Sequence, residues 1–184
     1  HLEPSFSPSF SLAEWEATAP AVDEKVRRIS ALDSDGRWHL VTVGRLTRNK
    51  NQETIVRAVE RMVAAGLDVE LSIYGDGPCS DELRDLAASL DIAGRVTFHG
   101  SVDHRDVMAA FARADLNLLA TRQEGFGKVL LEGMVHGTVP VFAESPAAAE
   151  ISGDGSRGVV FPADDPQRLA DAVVELVADR DRWV

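Results

Sequence analysis

Residues 115–132, DLNLLATRQEGFGKVLLE, join an apolar run to a turn that contains glycine and then to a second apolar pattern. The run 115–120 predicts a β-strand, and the pattern over 128–136, which stops at Gly137, predicts a helix. A strand that turns through glycine into a helix leaves free backbone N–H groups and the positive helix end at the carboxyl end of the strand. The segment therefore predicts a site that can hold phosphate.

Strands and helices alternate in the same way along the rest of the chain. Further strands are predicted at 38–43, 69–74, 96–99, 139–142 and 158–161, and further helices at 51–65, near 83–90, after Asp103, near 147–151 and after Asp165. Such alternation implies right-handed crossovers and a parallel sheet. We expect an α/β fold, a Rossmann-like doubly wound parallel sheet of about six strands with helices on both faces. In such a fold the ligand lies outside the carboxyl ends of the strands.

The charge and composition exclude several classes of partner. The 184 residues carry a formal net charge of −11, which argues against broad contact with nucleic acid or an anionic membrane. No apolar run approaches the ~20 residues of a membrane span. The single cysteine, Cys79, excludes an intrachain disulfide and fits a reducing compartment. We expect a cytoplasmic protein without a transmembrane segment, in which any phosphate site must be locally basic.

The most compact basic cluster follows the first predicted strand, where Arg45, Arg48 and Lys50 come after Gly44. Gly44 permits close approach of the backbone to a ligand. Arg45 and Lys50 can converge on one anion from two ends of the loop, Arg as a fork and Lys as a point charge. The alternative is that these are solvated loop charges.

Two carboxylates, Glu124 and Glu132, bracket the glycine turn. They suggest a ligand that carries hydroxyls as well as phosphates, and a nucleotide sugar has both. Binding of phosphate alone would require neither carboxylate.

Three other motifs are weaker signals. The run YGDGP at 74–78 chiefly indicates a tight turn. Gly100 at the end of the third strand can let a nucleobase lie against the backbone, whereas His99 is more often a packed or surface histidine than a catalyst. The run DHRD at 103–106 is superficially like a metal cluster, but a helix N-cap explains it better.

Taken together, these elements resemble the carboxyl-terminal, nucleotide-sugar-binding domain of family 4 glycosyltransferases, which have the GT-B architecture. The resemblance covers nearly all of residues 38–178, and its specificity lies in the order and spacing of motifs that are weak singly. The motifs are Gly44-Arg45-Leu46 with Lys50, YGDGP at 74–78, Phe98-His99-Gly100, EGFGKVLLE at 124–132, GTVPV at 137–141, and Glu150-Ile151 followed by GVVF at 158–161.

The resemblance implies a role for each matching residue. Arg45 and Lys50 would hold the diphosphate of the donor, Glu132 would accept hydrogen bonds from the ribose hydroxyls, and Glu124 would lie beside the transferred sugar. The implied catalytic residues are Glu124, Arg45 and Lys50, and the implied substrate-binding residues are Gly44, His99, Gly100, Gly125, Phe126, Gly127, Lys128, Leu130 and Glu132. No cofactor or metal is implied, because the nucleotide sugar is itself the substrate.

Two segments depart from the family pattern. Residues 145–149, SPAAA, stand where the family often has a glycine-rich turn before the glutamate, which puts the sugar end of the pocket in doubt. Residues 133–136, GMVH, replace a more usual alanine-rich segment, and we expect this to affect packing only.

GT-B enzymes need a second Rossmann-like domain that recognises the acceptor, and none is visible here. We expect residues 1–36, rich in Ser and Pro, to be a linker with a short lead-in helix near 25–32, and residues 37–184 to be the nucleotide-sugar-binding domain of a longer chain. The missing amino-terminal domain leaves contact with the inner face of the membrane open.

The resemblance thus predicts the donor-binding domain of a retaining, hexosyltransferase-type glycosyltransferase that uses a UDP- or GDP-linked sugar. By itself the fragment is expected to bind nucleotide without transferring sugar. Two alternatives remain: a non-catalytic nucleotide-binding module, and half of a GT-B nucleotide-sugar epimerase or synthase.

Overall fold

Six strands form the centre of the computed structural model, which describes residues 12–31, 36–123, 127–146, 148–153 and 155–179. The strands are β1 (Trp38–Val43), β2 (Val69–Tyr74), β3 (Val96–Gly100), β4 (Leu116–Leu119), β5 (Val139–Ala143) and β6 (Val159–Phe161). They form one parallel sheet in the order β3-β2-β1-β4-β5-β6. The predicted doubly wound parallel sheet is therefore confirmed.

Helices cover both faces of this sheet. They are α1 (Leu12–Ala31), α2 (Gln52–Ala64), α3 (Ser80–Ser89), α4 (His104–Arg113), α5 (Lys128–Val135), α6 (Ala148–Ser152) and α7 (Pro166–Ala178), and a short 3₁₀ turn, Ala93–Arg95, precedes β3. Helices α2, α3 and α7 share one core with the sheet, while α4, α5 and α6 pack on the opposite face. Over the described residues, no helix combines the length and apolarity that crossing a membrane requires.

The central strands are largely apolar because both of their faces are buried, as expected of a parallel sheet, whereas the edge strand β3 exposes Thr97 and His99. In β1, Leu40 packs into the core that contains α2, whereas Val41 packs against Phe111 of α4 on the other face. All four residues of β4 are buried. The near-continuous apolar runs of the sequence are thus the signature of strands covered on two sides.

Helix α1 is longer than the sequence predicted. It begins at Leu12 instead of near Lys25 and contains Pro20 in its interior, where proline removes a helical hydrogen bond. Tertiary contacts on both sides of Pro20 hold the helix: the Thr18 hydroxyl donates to the carbonyl of Val135 at 3.0 Å, and Ile29 is buried in the core. The part of the expected linker that falls on residues 1–11 lies outside the described residues.

Lys25 is the main attachment of α1 to the domain. Its buried ammonium donates to the carbonyls of Phe111 (2.8 Å), Ala114 (2.7 Å) and His136 (2.6 Å). These carbonyls lie at the ends of α4 and α5, where helices leave acceptors unpaired and carry partial negative charge. Burial lowers the pKa of Lys25 to about 8, with Asp115 opposing the shift, so the side chain is still charged at neutral pH. One cation therefore satisfies the ends of two helices.

A buried carboxylate fixes the amino ends of the two central strands. Asp115 is fully buried, and its Oδ2 accepts a hydrogen bond from the backbone N–H of His39 at 2.8 Å. The Asp115 N–H donates to the His39 carbonyl at 2.7 Å, and Arg28 of α1 pairs with the Asp115 carboxylate. These contacts set where β1 and β4 start relative to one another.

Replacing Lys25 with methionine tests this attachment. Lys25→Met should lower the free energy of unfolding by ~2–4 kcal/mol, because three buried or half-buried carbonyls lose a charged donor. Urea unfolding followed by circular dichroism measures the change. Arg27→Met, which removes an exposed charge from the neighbouring surface of α1, should cost less than ~0.5 kcal/mol. Equal costs for the two variants would contradict a special role for Lys25.

Candidate functional site: a crevice at the carboxyl edge of the sheet

The centre of the sheet is where the chain reverses its direction of winding. Strands β1 and β4 pair with each other, but the chain continues from β1 toward β2 and from β4 toward β5. The loop after β1 (residues 44–51) and the loop after β4 (residues 120–127) therefore lead to helices on opposite faces. Such a switch point leaves a crevice at the carboxyl edge, and ligands of doubly wound sheets bind there.

Gly44 opens the first loop and has open space on the side where a side chain would lie. Its φ is 151°, and a Cβ built on it would meet no heavy atom within 4 Å. The Gly44 N–H donates to the carbonyl of Tyr74 at 2.9 Å, which anchors the loop to the next strand. A glycine with nothing above it leaves room for a ligand to approach the main chain.

Gly75 and Gly77 have a different role, since they let the loop after β2 pack directly against the loop after β1. A Cβ at Gly75 would lie 2.1 Å from the carbonyl oxygen of Gly44, and one at Gly77 would lie 2.3 Å from that of Leu46. The Leu46 N–H also donates to the Asp76 carbonyl at 3.0 Å. The interpretation of YGDGP as a tight structural turn agrees with this packing: the turn supports the first loop from beside.

The basic residues of the first loop do not behave alike. Arg48 pairs with Glu82 of α3 at 2.6 Å and lies 3.8 Å from Glu53, so carboxylates already neutralise it. Arg45 is exposed and has neither a hydrogen bond nor an ion pair from its side chain to the described residues. Lys50, five residues further along the same loop, is half-buried. Of the predicted cluster, Arg48 is thus committed to the protein and Arg45 is available to a ligand.

The second loop ends in the amino terminus of α5. Gly127 is buried directly before the helix, and Lys128 is its exposed first residue. A Cβ on Gly127 would lie 3.0 Å from Leu130, whose side chain is buried among Leu119 and Phe142. Leu130 therefore supports the turn from the core side. The predicted site residues Glu124, Gly125 and Phe126 lie outside the described residues.

Glu132 is on the second turn of α5 and faces the start of α4. Its side chain is 16% exposed, and one of its oxygens lies 3.6 Å from Nε2 of His104. Because α4 follows β3, its first residue lies at the carboxyl edge of the sheet. Glu132 is therefore a half-buried carboxylate near the same edge as Gly44, with a histidine opposite it that the sequence had indicated only as part of a helix cap.

His99 and Gly100 lie two strands away from the crevice. The His99 ring stacks on Tyr74 with ring centroids 4.1 Å apart and 3° between the planes, and its Nε2 is 3.2 Å from the Ser72 hydroxyl. Burial, and secondarily Arg113, lowers the pKa of His99. Gly100 has a φ of 71° with open space around it. His99 thus has a packing partner, while Gly100 has open space where a side chain would lie, although its carbonyl accepts from the Gly75 N–H at 2.7 Å.

Within the described residues, no group of three or more His, Cys, Asp or Glu side chains could hold a metal ion. The run at 103–106 instead begins a helix: Asp103 is the N-cap of α4, although its side chain makes no capping hydrogen bond. The site therefore offers an open glycine backbone, an available arginine, a lysine, a helix amino terminus and a half-buried carboxylate. This set can bind the phosphates and hydroxyls of a nucleotide.

Fold and site together define a Rossmann-like domain of GT-B architecture. The chain belongs to the family of glycosyl transferases group 1, whose family model matches residues 37–179. It is 34% identical over 152 residues to a GDP-mannose-dependent alpha-(1-6)-phosphatidylinositol monomannoside mannosyltransferase of Mycobacterium tuberculosis, covering 79% of this chain and 40% of that protein. The predicted glycosyltransferase family is thereby confirmed.

Solved structures agree in fold. The Anabaena protein HepE in complex with UDP and glucose superposes with a TM-score of 0.73 at 23% identity, over 89% of this chain and 44% of that chain. The C-terminal domain of a glycosyl transferase group 1 family protein, LpcC from Francisella tularensis, gives 0.72 at 20% identity, over 89% and 83% of the two chains. The chain spans about 40% of the length of the curated relatives it matches.

Replacing Gly75 with alanine tests the contact between the two loops. Gly75→Ala should lower the free energy of unfolding by about 3 kcal/mol or more, because the methyl group collides with the Gly44 carbonyl in addition to straining a positive φ. Thermal unfolding measures the loss. Gly66→Ala is the matched control: its φ is 91° with nothing within 4 Å, so it should cost only about 1 kcal/mol. Equal losses would show that the close approach is unimportant.

Proposed function

We propose that this chain is the donor-binding domain of a retaining glycosyltransferase that transfers a hexose from a nucleotide-diphosphate sugar to an acceptor. The proposal is carried by two neighbouring features: the open space beside Gly44, and the exposed side chain of Arg45, which has no partner among the described residues. Both lie at the switch point of the sheet. In a chain with a net charge of −11, a cation that pairs with no carboxylate of the described residues favours an anionic ligand at this position.

Each residue has a defined task in this proposal. Arg45 and Lys50 bind the diphosphate, and the backbone N–H groups at the start of α5, from Phe126 to Lys128, contact the sugar or its phosphate. Glu132 accepts hydrogen bonds from the ribose hydroxyls, which its half-buried position permits. Gly44 and Gly100 give the ligand access to the main chain, Gly100 beside the base.

Glu124 completes the proposed set at the reacting end. It would lie beside the transferred sugar, near its hydroxyls or the reacting face. Leu130 contributes by packing beneath Gly127, and His99 by packing on Tyr74 near the base.

The proposed chemistry is stabilisation of the leaving group. As the bond between the sugar C1 and the diphosphate oxygen breaks, negative charge grows on the diphosphate, and the acceptor oxygen bonds to C1 on the same face while its proton is released. Arg45, Lys50 and the helix amino terminus neutralise that charge. The proposal needs no divalent metal for this step, because these cationic groups perform it.

A UDP- or GDP-linked sugar is the proposed donor, and the mycobacterial relative's dependence on GDP-mannose makes GDP the first nucleotide to test. We assign acceptor binding and the exclusion of water to a further Rossmann-like domain. Orienting the acceptor and keeping water out both require a cleft that is closed by two domains. The chain alone should therefore bind nucleotide and transfer nothing. We place the whole enzyme in the cytoplasm, with any contact to the inner membrane face made through that other domain.

Calorimetric titration with UDP, GDP and ADP, and with their sugars, tests the proposal, and EDTA in the buffer tests its independence from metal. Arg45→Ala and Lys50→Ala should each weaken binding of the preferred nucleoside diphosphate by ~1.5–3 kcal/mol, because each removes a charge-assisted hydrogen bond. The loss should shrink as salt is raised.

Arg48→Ala is the control for net charge, because it removes the same charge from the same loop. Its guanidinium is already paired with Glu82, so binding should change by less than ~0.5 kcal/mol. Unchanged affinity in both the Arg45 and Lys50 variants would show that these residues are solvated loop charges that do not bind the diphosphate. Failure of the wild-type chain to bind any nucleoside diphosphate would refute the proposed function.

The two glutamates separate donor binding from transfer. Glu132→Ala should weaken free nucleoside diphosphate and intact donor alike, whereas Glu124→Ala should leave diphosphate affinity nearly intact and lower kcat. The transfer assay uses the chain joined to the other domain of its natural protein, with the chain alone as blank and the anomeric proton signal of the product reporting retention.

A purely structural Glu124 gives a different result. If it only favours the positive helix end, worth ~0.5–2 kcal/mol, the variant would melt earlier yet transfer sugar normally. Binding without transfer in the joined enzyme would favour a non-catalytic nucleotide-binding module, and rearrangement of the donor without an acceptor would favour an epimerase.

A further inference from the structure

The two loops of the crevice are joined by a set of contacts that the proposed nucleotide site does not use. The backbone N–H of Arg122 donates to the Asn49 carbonyl at 2.9 Å, and Nδ2 of Asn49 donates to the carbonyl of Gln123 at 3.2 Å. The Arg122 guanidinium also donates to the carbonyl of Arg48. The first loop is thus paired to the second in both directions, just before the glycine turn.

A third loop joins this arrangement through Asp164, which follows β6. One oxygen of Asp164 accepts from Nε of Arg122 at 2.7 Å and from Nδ2 of Asn51 at 2.8 Å. Asn51 is buried, so this carboxylate ties a buried residue of the first loop to the second loop. We call Asn49, Asn51, Arg122 and Asp164 the clamp.

The backbone of the clamp is strained. Asn51 has a φ of 54° and Asp164 a φ of 62°, and both belong to the left-handed region that residues other than glycine seldom occupy. Such conformations persist only where the surroundings hold them. Here each left-handed residue points its side chain at the other, so the hydrogen bond and the two backbone conformations maintain one another.

Lys50 lies between the two held residues of the first loop. Asn49 on one side is held by residues 122–123, and Asn51 on the other is held by Asp164. The Lys50 N–H is itself bonded to the Thr47 carbonyl at 3.0 Å. The backbone that carries Lys50 therefore has little freedom to shift without breaking a contact of the clamp.

We propose that Arg122 and Asp164 are positioning residues that fix the backbone of Lys50 relative to the second loop at residues 122–123. This inference rests on the proposed function, because it assumes that Lys50 binds the diphosphate. A phosphate bound by Lys50 needs the Lys50 backbone in place before it arrives, and the clamp holds that backbone through the residues on either side of it.

The test compares a nucleoside diphosphate with its monophosphate in the 184-residue chain. In Arg122→Gln, GDP should bind about tenfold more weakly, or UDP if the wild type prefers it, because residues in one network couple by amounts of this size. GMP or UMP, which lacks the terminal phosphate, should change less than about twofold. Asp164→Asn, which keeps a residue suited to a left-handed backbone, should shift the diphosphate in the same direction.

Arg37→Gln is the control for loss of a surface arginine. Arg37 is exposed, pairs with Asp68 at 3.0 Å and lies at the opposite end of β1, so neither affinity should change. In a Lys50→Ala background, Arg122→Gln should have little further effect on the diphosphate, because the group it positions is gone. A full additional loss there, or equal losses for monophosphate and diphosphate, would overturn the positioning role.

Hydrogen exchange without ligand separates this inference from the proposed function. Arg122→Gln should speed amide exchange in residues 47–51 at an unchanged melting temperature, since local opening becomes easier. Unchanged exchange, or normal diphosphate affinity in Arg122→Gln beside a wild type that binds, overturns the clamp alone. A wild type that binds no nucleoside diphosphate overturns the proposed function and the clamp's role together.

Discussion

The pairing of β1 with β4 is the constraint on which the rest of the domain depends. These strands are neighbours in space but far apart along the chain, and right-handed crossovers carry their following helices to opposite faces. The carboxyl ends consequently cannot be covered by either crossover. At the amino ends, the buried carboxylate of Asp115 accepts from the His39 N–H and pairs with Arg28, so the register is fixed at one edge and the crevice is left open at the other.

The sheet could be predicted from the sequence because the central strands β4 and β5 are apolar runs buried on two faces, and because strand and helix patterns alternate regularly around them. The extent of α1 could not, because its support is not local. Lys25 donates to carbonyls 86 to 111 residues later in the chain, and carbonyls carry no sequence signal. Pro20 in the middle of the segment instead points toward a break.

The candidate site divides along the same line. Gly44 and the glycine turn could be identified in the sequence, because glycine marks positions where the backbone needs a positive φ or close approach to another group. The partners of the charged residues could not be identified in this way. Arg122 pairs with Asp164, which is 42 residues later in the chain, and Arg48 pairs with Glu82 of α3. In a chain rich in charge, the sequence cannot tell which arginine already has its carboxylate. Only the folded arrangement distinguishes the committed Arg48 from the available Arg45.

The close backbone contact between the loops after β1 and β2 also affects which substitutions the first loop tolerates. Gly75 and Gly77 lie against the carbonyls of Gly44 and Leu46. The loop after β2 therefore fixes the main-chain path of the first loop, and it does not itself need to touch a ligand. A side chain on this path can therefore be replaced without altering the main chain that carries it. In this arrangement the shape of the loop and the chemistry of its side chains are set by different parts of the chain.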